Sequence, residues 1–302
     1  MLKKTFVTTA AAVALVSSFL VSAQSETTSE PTEDRPPGAY AQVNGLEMYY
    51  EIHGEGGIPL VLLHGGLVSS DTFAPFVPTL AENRQVIAVD LQAHGRTADI
   101  DRPLRMESMA DDIAALLAEL GIEQADFMGY SLGGGVSLQT AIRHPELVRK
   151  LVLISTVFAR SGWYPEANEG MAAMTPEAAA FMLETPLYEL YSSVAPNVED
   201  WPQLVGKMGD LLRQDYDWTE QVDAIQQPAL IIIGDSDSVM PAHAIELFKL
   251  FGGGVPGDFV GQPASQLAII PNTTHGSIMF RADAILPLVV LFLDAPPPEP
   301  AE

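Results

Sequence analysis

The chain has 302 residues, enough for one large domain with a substantial core. Its 39 acidic residues against 15 Lys and Arg give a formal net charge of −24, which argues against a nucleic-acid partner and against electrostatic docking on anionic lipid. With no cysteine present, disulfide, thiolate and cysteine–metal chemistry are excluded.

The first residues read as an address. Lys3 and Lys4 precede an apolar run from Phe6 to Val21, and Val21-Ser22-Ala23 fits a small-x-small cleavage site before Gln24. This is the pattern of a Sec-type signal peptide over residues 1–23, so the expected location is secreted or periplasmic with no stable membrane anchor. Residues 24–38, rich in Ser, Thr, Glu and Pro, read as a disordered leader.

The folded domain is expected over residues 39–295. Two alternating runs between Tyr40 and Ile52 flank Asn44-Gly45, a hairpin signal. Apolar runs then predict strands near 60–64, 86–90, 125–129, 151–155, 229–234 and 266–270. Helices are predicted near 71–82, 107–120, 132–143, 241–251 and 282–293, an alternation that builds a parallel sheet. In one of them Met109, Ile113, Leu116, Leu117 and Leu120 form a stripe that Gly121 ends.

Residues 156–228 interrupt the alternation and hold all three tryptophans, Trp163, Trp201 and Trp218. Most of the aromatic and Met residues there must form this segment's own core. Trp163, Tyr164, Met171 and Phe181 are candidates to roof an apolar pocket. Gly252-Gly253-Gly254-Val255-Pro256-Gly257 matches Gly-x-Gly-x-x-Gly, but it follows a predicted helix rather than a strand, so it reads as a loop and not a dinucleotide site. Pro256 stands against the helix that such a site needs next. The Pro-rich tail, 296–302, can form neither helix nor sheet.

The chemistry concentrates at strand ends. Gly129-Tyr130-Ser131-Leu132-Gly133 fits Gly-x-Ser-x-Gly between a predicted strand and a predicted helix, the setting of a nucleophile elbow. A triad on such a scaffold runs Ser, then acid, then His. Asp235 and Asp237 follow the strand at 229–234, with Asp90 a distant third candidate acid, and His275 follows the strand at 266–270. His64-Gly65-Gly66 follows the strand at 60–64. Open α/β sheets gather ligands at these carboxyl ends. Of the other histidines, His64 and His94 read as loop braces and His53, His144 and His243 as surface or helix-end residues. None pairs with another at metal-ligand spacing beside a carboxylate, so neither a metal nor another cofactor is expected.

These motifs resemble the α/β-hydrolase superfamily: His64-Gly65-Gly66, Asp90-Leu91-Gln92-Ala93-His94-Gly95-Arg96, the Ser131 elbow, Gly234-Asp235-Ser236-Asp237 with Pro241, and Thr274-His275-Gly276. The chain looks most similar to its esterase, lipase and cofactor-free haloperoxidase branch. The resemblance implies an α/β-hydrolase fold: a mostly parallel central sheet flanked by helices, with a helical lid, about 156–228, inserted after the sixth strand. It implies Ser131 as nucleophile, Asp237 as acid, His275 as base, and the backbone amides of Gly66 and Leu132 as the oxyanion hole. Ala93 departs from the pattern, because many relatives carry glycine there. The implied activity is hydrolysis of a small, mainly apolar ester through an acyl-serine. Perhydrolysis or haloperoxidation, C–C bond hydrolysis and aminopeptidase action share such a triad. A binding protein of this fold with slow or no turnover is the alternative of another class.

Overall fold

A computed structural model of the chain describes residues 37–296. The expected signal peptide, the leader up to residue 36 and the tail from residue 297 lie outside the described residues.

The described residues open with a hairpin, β1 (Ala39–Val43) and β2 (Leu46–His53), joined at Asn44 and Gly45. Their φ values of 51° and 83° are the left-handed pair that a tight two-residue hairpin turn demands, and Asn-Gly supplies it at low cost. Six strands follow: β3 (Leu60–Leu63), β4 (Val86–Val89), β5 (Ala125–Tyr130), β6 (Val148–Ile154), β7 (Ala229–Gly234) and β8 (Gln266–Ile270). They form one sheet in the order β1-β2-β4-β3-β5-β6-β7-β8, antiparallel at β1–β2 and β2–β4 and parallel elsewhere.

The main-body helices are α1 (Val77–Leu80), α2 (Met106–Glu119) and α3 (Leu132–Arg143). Between β6 and β7 come α4 (Pro165–Ala172), α5 (Pro186–Val194), α6 (Trp201–Leu212) and α7 (Thr219–Asp223). After β7 come α8 (Pro241–Leu250), α9 (Gly257–Val260) and α10 (Ala282–Asp294). β3 and β7 are apolar throughout because both of their faces are covered, while β5 and β6 carry near their starts the ion pair of Asp126 and Arg149. Val61, Leu63, Phe127, Leu151, Leu153, Ile231 and Ile233 pack in one layer with α2, α3, α8 and the β6–β7 insertion. Their neighbours Leu60, Leu62, Met128, Val152, Ile154, Leu230 and Ile232 pack on the other face with Phe73, Phe76, Leu80 and the Ile285, Val289 and Phe292 stripe of α10. Each such side chain contributes about 1.5–3 kcal/mol relative to exposure.

Three local expectations are corrected. The helix predicted over 71–82 is broken into a 3-10 turn, Ser70–Phe73, and the short α1. Pro75 and Pro78 lack the amides that a continuous helix would bond to Asp71 and Ala74. The glycine-rich segment after α8 holds the single helical turn α9, so Pro256 precedes a helix rather than preventing one. His243 is not a surface residue: it lies in the first turn of α8, 4% exposed.

The chain order places β4 on one side of β3 and β5 on the other. The loops leaving β3 and β5 therefore diverge, opening a crevice at their carboxyl ends. Gly66 and Ser131 stand on those two loops.

Candidate active site

Ser131 sits between the last residue of β5 and the first of α3, with φ 51° and ψ −112°. A non-glycine residue held at positive φ costs about 1–2 kcal/mol, which the surroundings must supply. Two hydrogen bonds fix the turn. Ser131 N donates to the Ile154 carbonyl at 2.9 Å, and Gly133 N donates to the His64 carbonyl at 2.9 Å. Helix and strand approach so closely that a Cβ on Gly133 would stand 1.9 Å from the Leu63 carbonyl oxygen. Only glycine fits there, which gives the second glycine of the motif its physical reason.

His275 lies on the loop after β8. Its Nε2 is 3.0 Å from Ser131 Oγ and its Nδ1 is 2.8 Å from Asp237 Oδ1. In the tautomer that fits, Nδ1–H donates to the carboxylate and Nε2 accepts from the serine hydroxyl. Tyr130 supports the imidazole from behind: its hydroxyl donates to the His275 carbonyl at 2.8 Å, and the two ring centroids are 5.3 Å apart. Burial, and then the Asp237 charge, push the Tyr130 phenol well above its ordinary pKa, so it remains a donor.

Asp237 is 5% exposed. Burial opposes its charge, but His275, the Ser155 hydroxyl and the Val239 amide together hold its carboxyl below the usual range. Asp235 plays another part. Its carboxylate accepts from the Asn272 and Thr273 amides at 2.9 and 3.2 Å, so it clamps the loop that carries His275. Those amides keep its carboxyl below the usual range as well. Asp90 is committed to loops, accepting from the Ser70 and Arg96 amides at 2.7 and 2.8 Å.

His64 also braces loops: Nδ1–H donates to the Gly65 carbonyl and Nε2 accepts from the Leu91 amide. His94 Nδ1–H donates to the Gln92 carbonyl, and burial, reinforced by His64, lowers its pKa to about 3. His53 pairs with Glu51, and His144, just past α3, pairs with Asp111. Ala93 adopts φ 66°, the conformation for which glycine is suited, so the departure from the family pattern carries backbone strain in a scaffold loop.

Leu132 follows Ser131 at the first position of α3, where free amides point outward and the helix dipole favours an anion, and Gly66 stands on the β3 loop next to Gly65, where a Cβ would lie 3.6 Å from that of Ser131. The Met208 methyl, from α6, rests against Gly66, where a Cβ would come within 2.6 Å. Of the four candidate pocket residues, Trp163 is the one placed against the triad, edge-on to His275 with centroids 5.2 Å apart. Tyr164 follows it on extended backbone, where successive side chains point to opposite faces, and is 41% exposed. Phe181, in a 3-10 turn that buries Ala179 and Met182, is 58% exposed. Met171 packs against the main core.

Sequence reasoning missed Ser155 and His243 as members of this neighbourhood, and gave Tyr130 and Met208 no role of their own. Ser155 and Tyr130 could have been found as the polar residues ending two apolar strands. Nothing local marks Met208 or His243.

The descriptive profile of the alpha/beta hydrolase fold family matches residues 58–282. The chain is 28% identical over 277 residues to the dihydrolipoyllysine-residue acetyltransferase component of an acetoin cleaving system from Pseudomonas putida, spanning 85% of this chain and 70% of that protein. It is 29% identical over 235 residues to a putative carbamate hydrolase, RutD, from Azorhizobium caulinodans, spanning 72% of this chain and 86% of that protein. Among solved structures, the enol-lactonase from Burkholderia xenovorans LB400 superposes with a TM-score of 0.64 and 26% identity, covering 85% of this chain and all (100%) of that one. With the profile running from just before β3 to the start of α10, across the elbow and both loops after β7 and β8, the chain belongs to the α/β-hydrolase family and is a hydrolase of that family.

Proposed function

We propose that this protein hydrolyses a carboxylic ester with a predominantly apolar acyl group, through an acyl intermediate on Ser131. The observation that carries the reading is the unbroken relay from Ser131 Oγ to His275 Nε2 at 3.0 Å and from His275 Nδ1 to Asp237 Oδ1 at 2.8 Å. A serine hydroxyl is a weak nucleophile until a neutral imidazole accepts its proton. As Ser131 Oγ attacks the carbonyl carbon, that proton passes to Nε2, and Asp237 stabilises the imidazolium. The carbonyl oxygen becomes an oxyanion facing the amides of Gly66 and Leu132. Loss of one such donor typically costs about 3 kcal/mol. When the intermediate collapses, the C–O bond breaks, the alcohol leaves with the proton from Nε2, and the acyl group stays on Ser131. A water deprotonated by His275 then attacks the acyl-enzyme and releases the acid.

The likeness to an enol-lactonase supports an ester bond, since a lactone is an ester. The likeness to a putative carbamate hydrolase favours a second reading, cleavage of a carbamate by the same steps with an amine leaving. Apolar acyl groups are supported by Trp163 beside His275 and by Met208 against Gly66. Segment 156–228 carries 12 acidic and 3 basic residues, which disfavours anionic substrates. The same reading takes Val21-Ser22-Ala23 as a cleavage site, so that the enzyme works outside the cytoplasm.

A panel of neutral p-nitrophenyl esters, the matching carbamates and anilides, and a fluorophosphonate probe test it. Turnover of esters and covalent labelling are expected from the wild type, with both abolished in a folded Ser131→Ala variant. Labelling that persists in that variant would place the nucleophile elsewhere. Turnover confined to carbamates would replace the ester reading by the second one.

A further inference from the structure

The carboxylate of Asp237 has two oxygens with different partners. Oδ1 accepts from His275 Nδ1 at 2.8 Å and from the Val239 amide at 3.0 Å. Oδ2 accepts from Ser155 Oγ at 2.5 Å and, at the limit of 3.5 Å, from the Gly234 amide. Ser155 therefore supplies the short bond to the oxygen that faces away from the imidazole. It stands one residue past β6, the strand next to the one that precedes Asp237, and is 1% exposed.

Two features show that the fold holds Ser155 there at a cost. Its φ is 51°, the left-handed region, although it is neither glycine nor asparagine. Its amide donates to the Ile232 carbonyl at 2.8 Å, so the β6–β7 ladder locks the backbone in that strained state while the side chain turns to Asp237. Strain of this kind persists where the surroundings over-determine it and is concentrated at functional sites. A glycine would relieve the strain, but it would lose the hydroxyl.

We propose that Ser155 is a positioning residue for the reaction at Ser131: its hydroxyl fixes the plane of the Asp237 carboxylate and shares its charge, so that Oδ1 stays aimed at His275 Nδ1. The inference rests on the triad reading above. A carboxylate without this donor has one long amide contact on Oδ2. It can swing away from Nδ1, and its charge is concentrated on the oxygen facing the imidazole. Among the described residues, the charged or titratable groups that interact with Asp237 are His275 and, through its charge, Tyr130.

The test uses Ser155→Ala, which keeps the strain and removes the donor, and Ser155→Gly, which removes both. Both are to be purified, melted to establish folding, and assayed on one short p-nitrophenyl ester across pH. The expected result is a fall in kcat of about tenfold or more in both variants, the size that loss of one hydrogen bond to a charged group implies, with KM little changed. The acidic limb of the kcat/KM profile is expected to move to higher pH. Fluorophosphonate labelling should slow in parallel. If both variants fold and keep kcat within twofold with an unmoved profile, Ser155 is only structural and the proposal is wrong. If Ser155→Gly regains wild-type kcat while Ser155→Ala does not, the defect lies in the backbone and the proposal is equally overturned. Ser131→Ala run alongside separates the two claims: an active Ser131→Ala variant refutes the triad reading, whereas an inactive one with fully active Ser155 variants refutes this inference alone.

Discussion

Acid should unfold this protein partly through His243. Its Nε2 accepts from the Phe158 amide at 3.2 Å, and its ring stacks on Phe158 with centroids 4.0 Å apart. Gly162 packs against the same ring so tightly that a Cβ there would lie 2.4 Å from Cδ2. Burial lowers the pKa from 6.5 to about 4, with the Asp217 charge opposing it only in part. The folded pKa is depressed, so as pH falls below about 6.5 the unfolded chain takes the proton first. Stability drops through that window, and the loss is complete below the folded value of about 4. A gap of about 2.5 units amounts to about 3 kcal/mol in full, of which about 2 kcal/mol is spent by pH 5. His94 titrates in the same direction, so the His243 share is isolated by difference. Urea unfolding of the wild type and of His243→Gln is to be measured at pH 7, 6 and 5. The variant should be less stable at pH 7, because the Phe158 amide loses its ring partner. The gap should then narrow by about 2 kcal/mol at pH 5. Parallel stability curves across this range would show that the ring is not held neutral by burial, and would refute the reasoning.

Other perturbations separate roles at the site. Asp237→Asn should lower turnover by on the order of 10⁴, because an amide oriented against the imidazole forces the wrong tautomer. Asp235→Asn, which weakens the clamp on the His275 loop, should lower thermal stability and cost far less activity. Purified variants assayed on one ester decide it, and a larger activity loss at Asp235 would reverse the two assignments. Met208→Ala should free space beside Gly66 and shift preference towards longer acyl chains in a chain-length series. Removal of this buried side chain should destabilise the fold by about 2–5 kcal/mol in urea titration. An unchanged chain-length profile would remove Met208 from the acyl site.

What could be read from the sequence and what could not divide along a physical line. β3 and β7 are apolar on both faces and β5 largely so apart from Asp126, and such runs between turn residues are legible without partners. Ser131 and His275 were legible because a sharp turn and a strand end leave signatures within a few residues. The helix over 71–82 was misread because apolar spacing outweighed Pro75 and Pro78, although the missing amides were visible in the sequence itself. Of the four pocket candidates Trp163 stands beside His275, and the sequence could not single it out for a different reason. Aromatic content says that a segment buries something; it does not say which side chain faces which way. Trp163 reaches His275 because its backbone bridges Val239, while the Tyr164 amide donates to the Ser238 carbonyl and the Met240 amide to that of Gly162. These bonds, across some 75 residues of chain, join the first stretch of the insertion to the loop whose Val239 amide also holds Asp237 Oδ1. The insertion and Asp237 are thus parts of one hydrogen-bonded unit, anchored from below by His243 against Phe158 and Gly162. A change in how the 158–164 stretch sits is therefore felt at Asp237 directly, through Val239, as well as at His275 through the Trp163 ring. That coupling is set by packing between distant elements, which is why motif spacing found Ser131, Asp237 and His275, the three residues joined in one relay, and passed over the ones packed around them.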